Sequence, residues 1–178
     1  PFCSFRMPKI AVVQAGSCVY DTPATISLLE KYTEEAAKNG ADLVLFPEAF
    51  IGGYPKGLDF GVVLGLRSDE GRNEYARYFN GAITAEGEES NRVAKIAQDN
   101  RYWIVTGVVE REGSTLYCSV FFYSSQGKLE TVHRKLLPLL LNELSGDREM
   151  GQRCPSFPLP LGRSAQPSVG RTTCHCIE

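Results

Sequence analysis

The sequence predicts an α/β fold, because short apolar runs of strand length alternate with a segment of helical periodicity. The run at residues 41–46 shows no polar alternation, which is typical of a strand buried on both faces of a sheet, and residues 9–14 form a second apolar run of strand length. Between them, apolar residues recur at helical spacing over residues 23–38. A strand, a helix and a strand in this order predict two parallel strands with a right-handed crossover.

Both ends of this predicted helix carry recognisable signals. Asp21 and Thr22 stand before Pro23, a residue favoured in the first helical turn. Asn39 and Gly40 follow the last periodic residue, where helices commonly end. The helix is therefore expected to begin near residue 22 and to end before residue 39.

The second apolar run ends at Pro47, which cannot donate a hydrogen bond to a neighbouring strand. Glu48 is thereby placed at the carboxyl end of the strand, the edge at which open α/β sheets bind their ligands. Gly52, Gly53 and Pro55 continue the chain as a loop. On this stretch alone, Glu48 is either a solvated loop carboxylate or a functional one.

Further elements follow this loop. Residues 57–80 are polar and irregular with a short helix near residues 71–79, and long excursions beside a strand end often form pocket walls. Downstream, the sequence predicts a helix over 87–100, a buried strand over 103–109, and a β-hairpin with strands over 115–123 and 129–133.

Length and charge restrict the classes of function. The 178 residues suffice for one domain with a hydrophobic core. A net charge of −2 with scattered Lys and Arg argues against nucleic acid or an anionic membrane as a partner. No apolar run approaches the roughly 18 residues of a membrane span, and no secretory signal pattern opens the chain, so a cytoplasmic protein is expected.

The six cysteines do not show the spacing of a metal site. They lie at positions 3, 18, 118, 154, 174 and 176, without a C-x2-C pair. Cys174 and Cys176 flank His175, but a chance cluster explains this group better than zinc. The sequence contains no glycine-rich phosphate loop either, so no motif indicates a metal or an organic cofactor.

Three basic residues, His133, Arg134 and Lys135, end the last predicted strand. Taken alone, such a cluster fits a solvated strand end that discourages association between sheets. The basic cluster gains a possible function only when it is considered together with Glu48.

Several motifs together resemble the nitrilase branch of the carbon-nitrogen hydrolase family. The resemblance rests on Ala11-Val12-Val13-Gln14-Ala15, on Phe46-Pro47-Glu48-Ala49-Phe50 with Gly53-Tyr54-Pro55, and on Leu116-Tyr117-Cys118 leading to His133-Arg134-Lys135-Leu136. Their order and spacing match over residues 7–138, which we interpret as a partial hydrolase domain after a leader at residues 1–6.

The resemblance implies an αββα sandwich and a Glu-Lys-Cys triad that hydrolyses a nitrile or an amide without a cofactor. Glu48 would be the general base, Lys135 the cation that stabilises the intermediate, and Arg134 a structural ion-pair partner. Tyr54 and Pro55 would line the substrate pocket. Members of the family form homo-oligomers, which is the expected assembly.

The chemistry explains why these residue types are needed. An unperturbed cysteine is only slightly ionised at neutral pH, so attack on a nitrile or amide carbon needs a base that takes the thiol proton. The atom that gains negative charge then needs a fixed cation. A carboxylate and an ammonium at strand ends supply both groups.

The nucleophile itself is missing from the expected place. In the nitrilase branch it lies in Cys-Trp-Glu-Asn after the lysine, and this string does not occur here. Cys154, Cys174 and Cys176 follow no apolar strand that would place a sulfur beside Glu48. Cys118 precedes Lys135 and fits a packed strand residue.

The sequence changes character after Pro138. Residues 139–178 are rich in Gly, Arg, Ser and Pro without any period, which predicts a disordered or irregular tail. When the reading frame of the tail is shifted by one base, the degeneracy of the genetic code permits nitrilase-like segments over residues 142–155 and 163–176. The second segment contains Cys-Trp-Glu-Asn, with the cysteine codon spanning the codons of Ser168 and Val169. We infer that one base was lost near the Pro138 codon and that the tail is non-homologous.

Three functions follow as hypotheses. The first is a nitrilase-type hydrolase that converts an organic nitrile to a carboxylic acid and ammonia, inactive in this chain because the nucleophile segment is missing. The second is an amidase or N-carbamoyl amidohydrolase of the same fold. The third is a non-catalytic fragment that binds a partner through an apolar sheet face, which residues 7–138 are expected to expose.

Overall fold

A computed structural model describes residues 7–62 and 68–135. Within them the elements are, in chain order, β1 (Ile10–Val12), α1 (Thr22–Lys38), β2 (Leu43–Leu45), α2 (Asp69–Gly81), α3 (Glu88–Asn100), β3 (Trp103–Glu112), β4 (Thr115–Tyr123) and β5 (Leu129–Arg134). The predicted α/β class is confirmed. The leader at residues 1–6 and the tail at residues 139–178 lie outside the described residues.

The strands of the described residues form one mixed sheet in the order β1-β2-β3-β4-β5. β1, β2 and β3 run parallel, which confirms the predicted strand-helix-strand unit. β4 is antiparallel to both β3 and β5. Sequence interpretation identified the hairpin of β4 and β5 but not the pairing of β3 with β4 through the turn at Gly113 and Ser114.

The ends of α1 lie where the sequence predicts them. The Asp21 side chain accepts a hydrogen bond from the backbone N–H of Ala24 at 2.9 Å, which satisfies one of the free donors of the first turn. Gly40, just past the helix, has a φ of 72°, a left-handed conformation that glycine adopts without steric cost. No helix of the described residues is long and apolar enough to cross a membrane.

One face of the sheet is covered by helices. Apolar side chains of α1 and α3 pack against alternate residues of the strands and form the hydrophobic core. Its fully buried members include Ile26, Leu29, Val44, Val93, Ala97, Ile104, Val108, Phe121 and Tyr123. Because side chains of a strand alternate between faces, these residues define a single helix-covered face.

On the opposite face, apolar side chains of β1 and β2 are accessible. Ile10 is 59% exposed, Val12 63% and Leu45 37%. The expectation that residues 41–46 form a strand buried on both faces is therefore wrong for the described residues, because helices pack on one side only. An exposed apolar face is what the sequence predicts for residues 7–138, and the second sheet of an αββα sandwich is not among the described residues.

Candidate active site

Glu48 lies in a short protrusion, residues 48–50, that bulges out of the pairing between the chain after β2 and strand β3. The N–H of Gly107 in β3 donates to the carbonyl of Pro47 at 3.2 Å, and the carbonyl of Gly107 accepts from the N–H of Ile51 at 3.1 Å. The three residues between Pro47 and Ile51 are thus looped out of the strand pairing. As predicted, Glu48 follows the carboxyl end of β2.

This protrusion depends on a glycine in β3. A Cβ atom added at Gly107 would lie 2.4 Å from the carbonyl oxygen of Pro47 and 2.6 Å from the Cα atom of Glu48. Glycine is therefore needed so that the backbone around Glu48 can pack on the sheet. Ala49 takes a φ of 48°, a conformation that is costly for a residue with a Cβ and is often found at functional sites.

Lys135 follows the end of β5 and extends its pairing with β4. Its backbone N–H donates to the carbonyl of Cys118 at 2.8 Å. Its ammonium Nζ donates to Oε1 of Glu48, also at 2.8 Å. The structure therefore brings together the carboxylate and the ammonium that the family resemblance assigns to one triad.

Arg134, the residue before Lys135, points to the other face of the sheet. It binds both carboxylate oxygens of Glu110, with Nε and Nη2 each 2.9 Å from an oxygen. Ser119 donates to the same carboxylate at 2.6 Å, and the guanidinium lies 3.9 Å from the ring centroid of Tyr117. The structural ion-pair role predicted for Arg134 is confirmed, and the Glu110 bonds raise the pKa of its guanidinium.

Cys118 is the residue whose surroundings the sequence interpretation missed. As predicted, it is a strand residue, part of β4, but its Sγ also donates to Oε1 of Glu48 at 3.3 Å, a contact that the sequence did not indicate. The signal for this contact is the hairpin register, which places Cys118 beside Lys135. Burial, and then the hydrogen bond to Glu48, raise the pKa of the thiol to about 12.

Glu48 and Lys135 each stabilise the charged form of the other. The hydrogen bond from Lys135 lowers the pKa of Glu48, the bond from Cys118 acts in the same direction, and burial opposes both. The hydrogen bond to Glu48 raises the pKa of Lys135. At neutral pH the site therefore holds a carboxylate, an ammonium and a neutral thiol.

A pocket of about 370 Å³ opens above this cluster. Tyr54 and Pro55, the predicted pocket residues, are among its lining residues, together with Leu58, Phe60, Tyr75, Tyr78, Leu116 and Tyr117. The hydroxyl of Tyr78 donates to the carbonyl of Gly53 at 3.2 Å and ties α2 to the loop after Glu48. The irregular excursion thus supplies a wall of the pocket, and its aromatic character was not evident from the pattern.

Other cysteines do not complete a triad in the described part of the chain. Cys18 is exposed and is not among the pocket-lining residues. Cys154, Cys174 and Cys176 lie outside the described residues. Within the described ranges, no group of three or more His, Cys, Asp and Glu side chains is placed to hold a metal ion.

The sequence profile of the carbon-nitrogen hydrolase family matches residues 9–174, a range that includes Glu48, Cys118 and Lys135. The chain belongs to the carbon-nitrogen hydrolase family. The match continues past residue 138, and the frame shift at that position stays a prediction from the sequence.

Similar members of the carbon-nitrogen hydrolase family include plant nitrilases. The chain is 44% identical over 155 residues to Nitrilase 1 of Arabidopsis thaliana, an alignment that covers 87% of this chain and 45% of that protein. It is 43% identical over 161 residues to a bifunctional nitrilase/nitrile hydratase of Lupinus angustifolius, with 89% and 46% covered. The chain thus spans about half the length of these relatives.

Solved structures confirm the fold of this hydrolase-family chain. An amidase from Nesterenkonia sp. superposes with a TM-score of 0.59 at 19% identity, over 84% of this chain and 50% of the amidase. The Caenorhabditis elegans NitFhit protein superposes with a TM-score of 0.54 at 18% identity, over 81% and 32%. At these identities the similarity establishes the α/β architecture of the nitrilase fold and not the substrate.

Proposed function

We propose that the complete protein hydrolyses an organic nitrile to a carboxylic acid and ammonia, with Glu48 as general base and Lys135 as stabilising cation. The observation that carries this proposal is the 2.8 Å contact between Lys135 and Glu48 at the base of the pocket. The identity of 44% to a plant nitrilase supports a nitrile as substrate. Tyr54 and Pro55 serve as walls of the substrate pocket.

The proposed reaction needs a cysteine beside this pair. Glu48 takes the thiol proton, the sulfur bonds to the nitrile carbon, and the nitrogen becomes protonated to give a thioimidate. Addition of water and loss of ammonia leave a thioester, and a second water releases the acid and restores the thiol. Lys135 faces the atom that carries negative charge at each addition step.

The pKa values fit this division of roles. Because the pKa of Glu48 is lowered, its carboxylate is ionised and ready to accept a proton at neutral pH, although it is a weaker base for that reason. A cationic neighbour such as Lys135 also lowers the pKa of a thiol that approaches the site. The cation thus assists proton transfer by making the thiol more acidic, while Glu48 stays ionised and able to accept the proton.

Among the described residues, neither Cys18 nor Cys118 is suited to this role. The thiol of Cys118 has a pKa raised to about 12 and is therefore a poor source of thiolate. We propose that the frame shift near Pro138 removed the nucleophile segment, so this chain has little or no activity. A cytoplasmic location and a homo-oligomer are part of the same proposal.

An amidase is the second candidate, supported by the structural similarity to the Nesterenkonia amidase. The two activities differ in the bond that is attacked, since a nitrilase acts on a nitrile carbon and an amidase on a carbonyl carbon that already bears oxygen.

Ammonia release should be measured with one nitrile and its matching amide, using the 178-residue chain and a chain with the reading frame restored after Pro138. The proposal is supported if the restored chain hydrolyses the nitrile and the 178-residue chain does not. Preference of the restored chain for the amide supports the alternative. Turnover by the 178-residue chain contradicts the proposal that the nucleophile lies in the segment removed by the frame shift.

A further inference from the structure

We propose that Cys118 is a positioning residue, which fixes the orientation of the Glu48 carboxylate by donating its S–H to Oε1. The consequence for catalysis rests on the proposed function, whereas the hydrogen bond and its effect on Glu48 do not. Cys118 is thus assigned the role of a donor to the base rather than that of a nucleophile.

The first support is the convergence of two donors on one oxygen. Nζ of Lys135 lies 2.8 Å from Oε1 of Glu48, and Sγ of Cys118 lies 3.3 Å from the same atom. Among the described residues, Oε2 of Glu48 accepts no hydrogen bond. Within the described ranges, the carboxylate therefore has one oxygen held by two donors and one oxygen available to accept a proton.

The second support is the fixed backbone position of the two donor residues and the short side chain of Cys118. Cys118 is part of β4, and Lys135 is attached to it by the backbone hydrogen bond of 2.8 Å that extends the hairpin. The last torsion of a glutamate is broad and roughly two-fold, so a flexible ammonium alone does not distinguish the two oxygens well. A thiol that projects from a strand interior adds a donor with few conformations.

The third support is the protonation state of the thiol. A cysteine attacks carbon as thiolate, while only the protonated thiol can donate a hydrogen bond. Burial and the adjacent carboxylate both disfavour the thiolate at this position. The surroundings of Cys118 therefore suit a donor and oppose a nucleophile.

The test is a titration of the Glu48 carboxyl by carbon-13 NMR in the full chain. Cys118→Ala should raise the titration midpoint of Glu48, because a hydrogen bond to the ionised form is lost. Cys118→Ser keeps a donor and should remain closer to the parent chain than the alanine variant. Cys18→Ala, at the exposed cysteine, is the matched control and should leave the midpoint unchanged. A thermal unfolding curve establishes that each variant is folded.

Alkylation by iodoacetamide, followed by mass spectrometry of peptides, tests the protonation state independently. At neutral pH the thiol of Cys118 should react more slowly than that of Cys18, and Glu48→Gln should increase its reactivity. An unchanged Glu48 midpoint in Cys118→Ala, or faster labelling of Cys118 than of Cys18, would overturn the proposal. Neither readout uses nitrile turnover, so a failure of the proposed hydrolase activity would leave these results interpretable.

Discussion

Lys135 donates from Nζ to Oε1 of Glu48 at 2.8 Å, although 87 residues separate them in the sequence. β2 and β5 are not neighbours in the sheet, since β3 and β4 lie between them. The contact forms because residues 48–50 loop out over Gly107 in β3, while Lys135 continues the pairing of β5 with β4. One protrusion and one strand extension thus create the site.

This pair should make stability depend on pH in a defined direction. The pKa of Glu48 is lowered, so its contribution is present above its ordinary value of 4.5 and is lost as the pH falls through the lowered value. The pKa of Lys135 is raised, so its contribution is present below 10.5 and is lost as the pH rises through the raised value.

The measurement is the difference in unfolding free energy between the parent chain and Glu48→Gln as a function of pH. Since the side chain of Glu48 is 47% exposed, the pair contributes only about 0–1 kcal/mol near neutral pH. The difference should shrink on acidification below pH 4.5. A difference that grows on acidification would contradict the lowered pKa of Glu48.

Gly107→Ala tests the packing of the Glu48 protrusion. The added Cβ would meet backbone atoms of residues 47–49, which cannot move aside like the end of a flexible side chain. We expect a loss of about 1–3 kcal/mol in unfolding free energy, as for other overpacked sites. Gly16→Ala is the matched control, because no heavy atom lies within 4 Å of the Cβ added there. Equal stability of the two variants would mean that the protrusion adapts freely.

Arg134→Gln tests the buried ion pair on the opposite face. The side chains of Arg134 and Glu110 are only 12% and 4% exposed, so removing the cation leaves a buried carboxylate without its main partner. We expect a cost of about 3–5 kcal/mol in denaturant unfolding. Arg72→Gln is the control, since the Arg72 side chain is 64% exposed in its pair with Asp69 and should change stability by at most about 1 kcal/mol. Similar losses of unfolding free energy in the two variants would be inconsistent with a stabilising buried ion pair between Arg134 and Glu110.

The accessible apolar face of β1 should promote self-association of this chain. Replacing Ile10 and Val12 by threonine keeps β-branched side chains while reducing apolar surface on that face. In sedimentation velocity experiments the double variant should show less association than the parent chain. Val19→Thr, at a residue that is 56% exposed outside the strands, should have no comparable effect. Unchanged association in the double variant would show that other surfaces are responsible.

Much of the fold is predictable from local patterns. The limits of α1 follow from Asp21 and Gly40, and the placement of Glu48 follows from an apolar strand that ends at Pro47. These features depend on capping, periodicity and the missing donor of proline, all of which act within a few residues. The identification of Glu48 and Lys135 as neighbours required the family resemblance, because no local pattern links residues so distant in sequence.

The features of the site that the sequence did not predict depend on the alignment of the strands and on helix packing. Whether Cys118 faces the carboxylate is decided by the alignment of β4 with β3 and β5, including an irregularity at Phe122 and Tyr123. A shift of one residue would exchange the faces of Arg134 and Lys135 and separate the ammonium from Glu48. The aromatic pocket wall likewise depends on how α2 packs, since Tyr78 reaches the loop through a single hydrogen bond.

The most direct test of the central claim is nitrile hydrolysis by the chain whose reading frame is restored after Pro138, compared with the same chain carrying Glu48→Gln. The account predicts ammonia release by the restored chain and a loss of about 10²–10⁴-fold in the glutamine variant, the usual contribution of a general base. Full activity of Glu48→Gln in the restored chain would contradict the role assigned to the carboxylate.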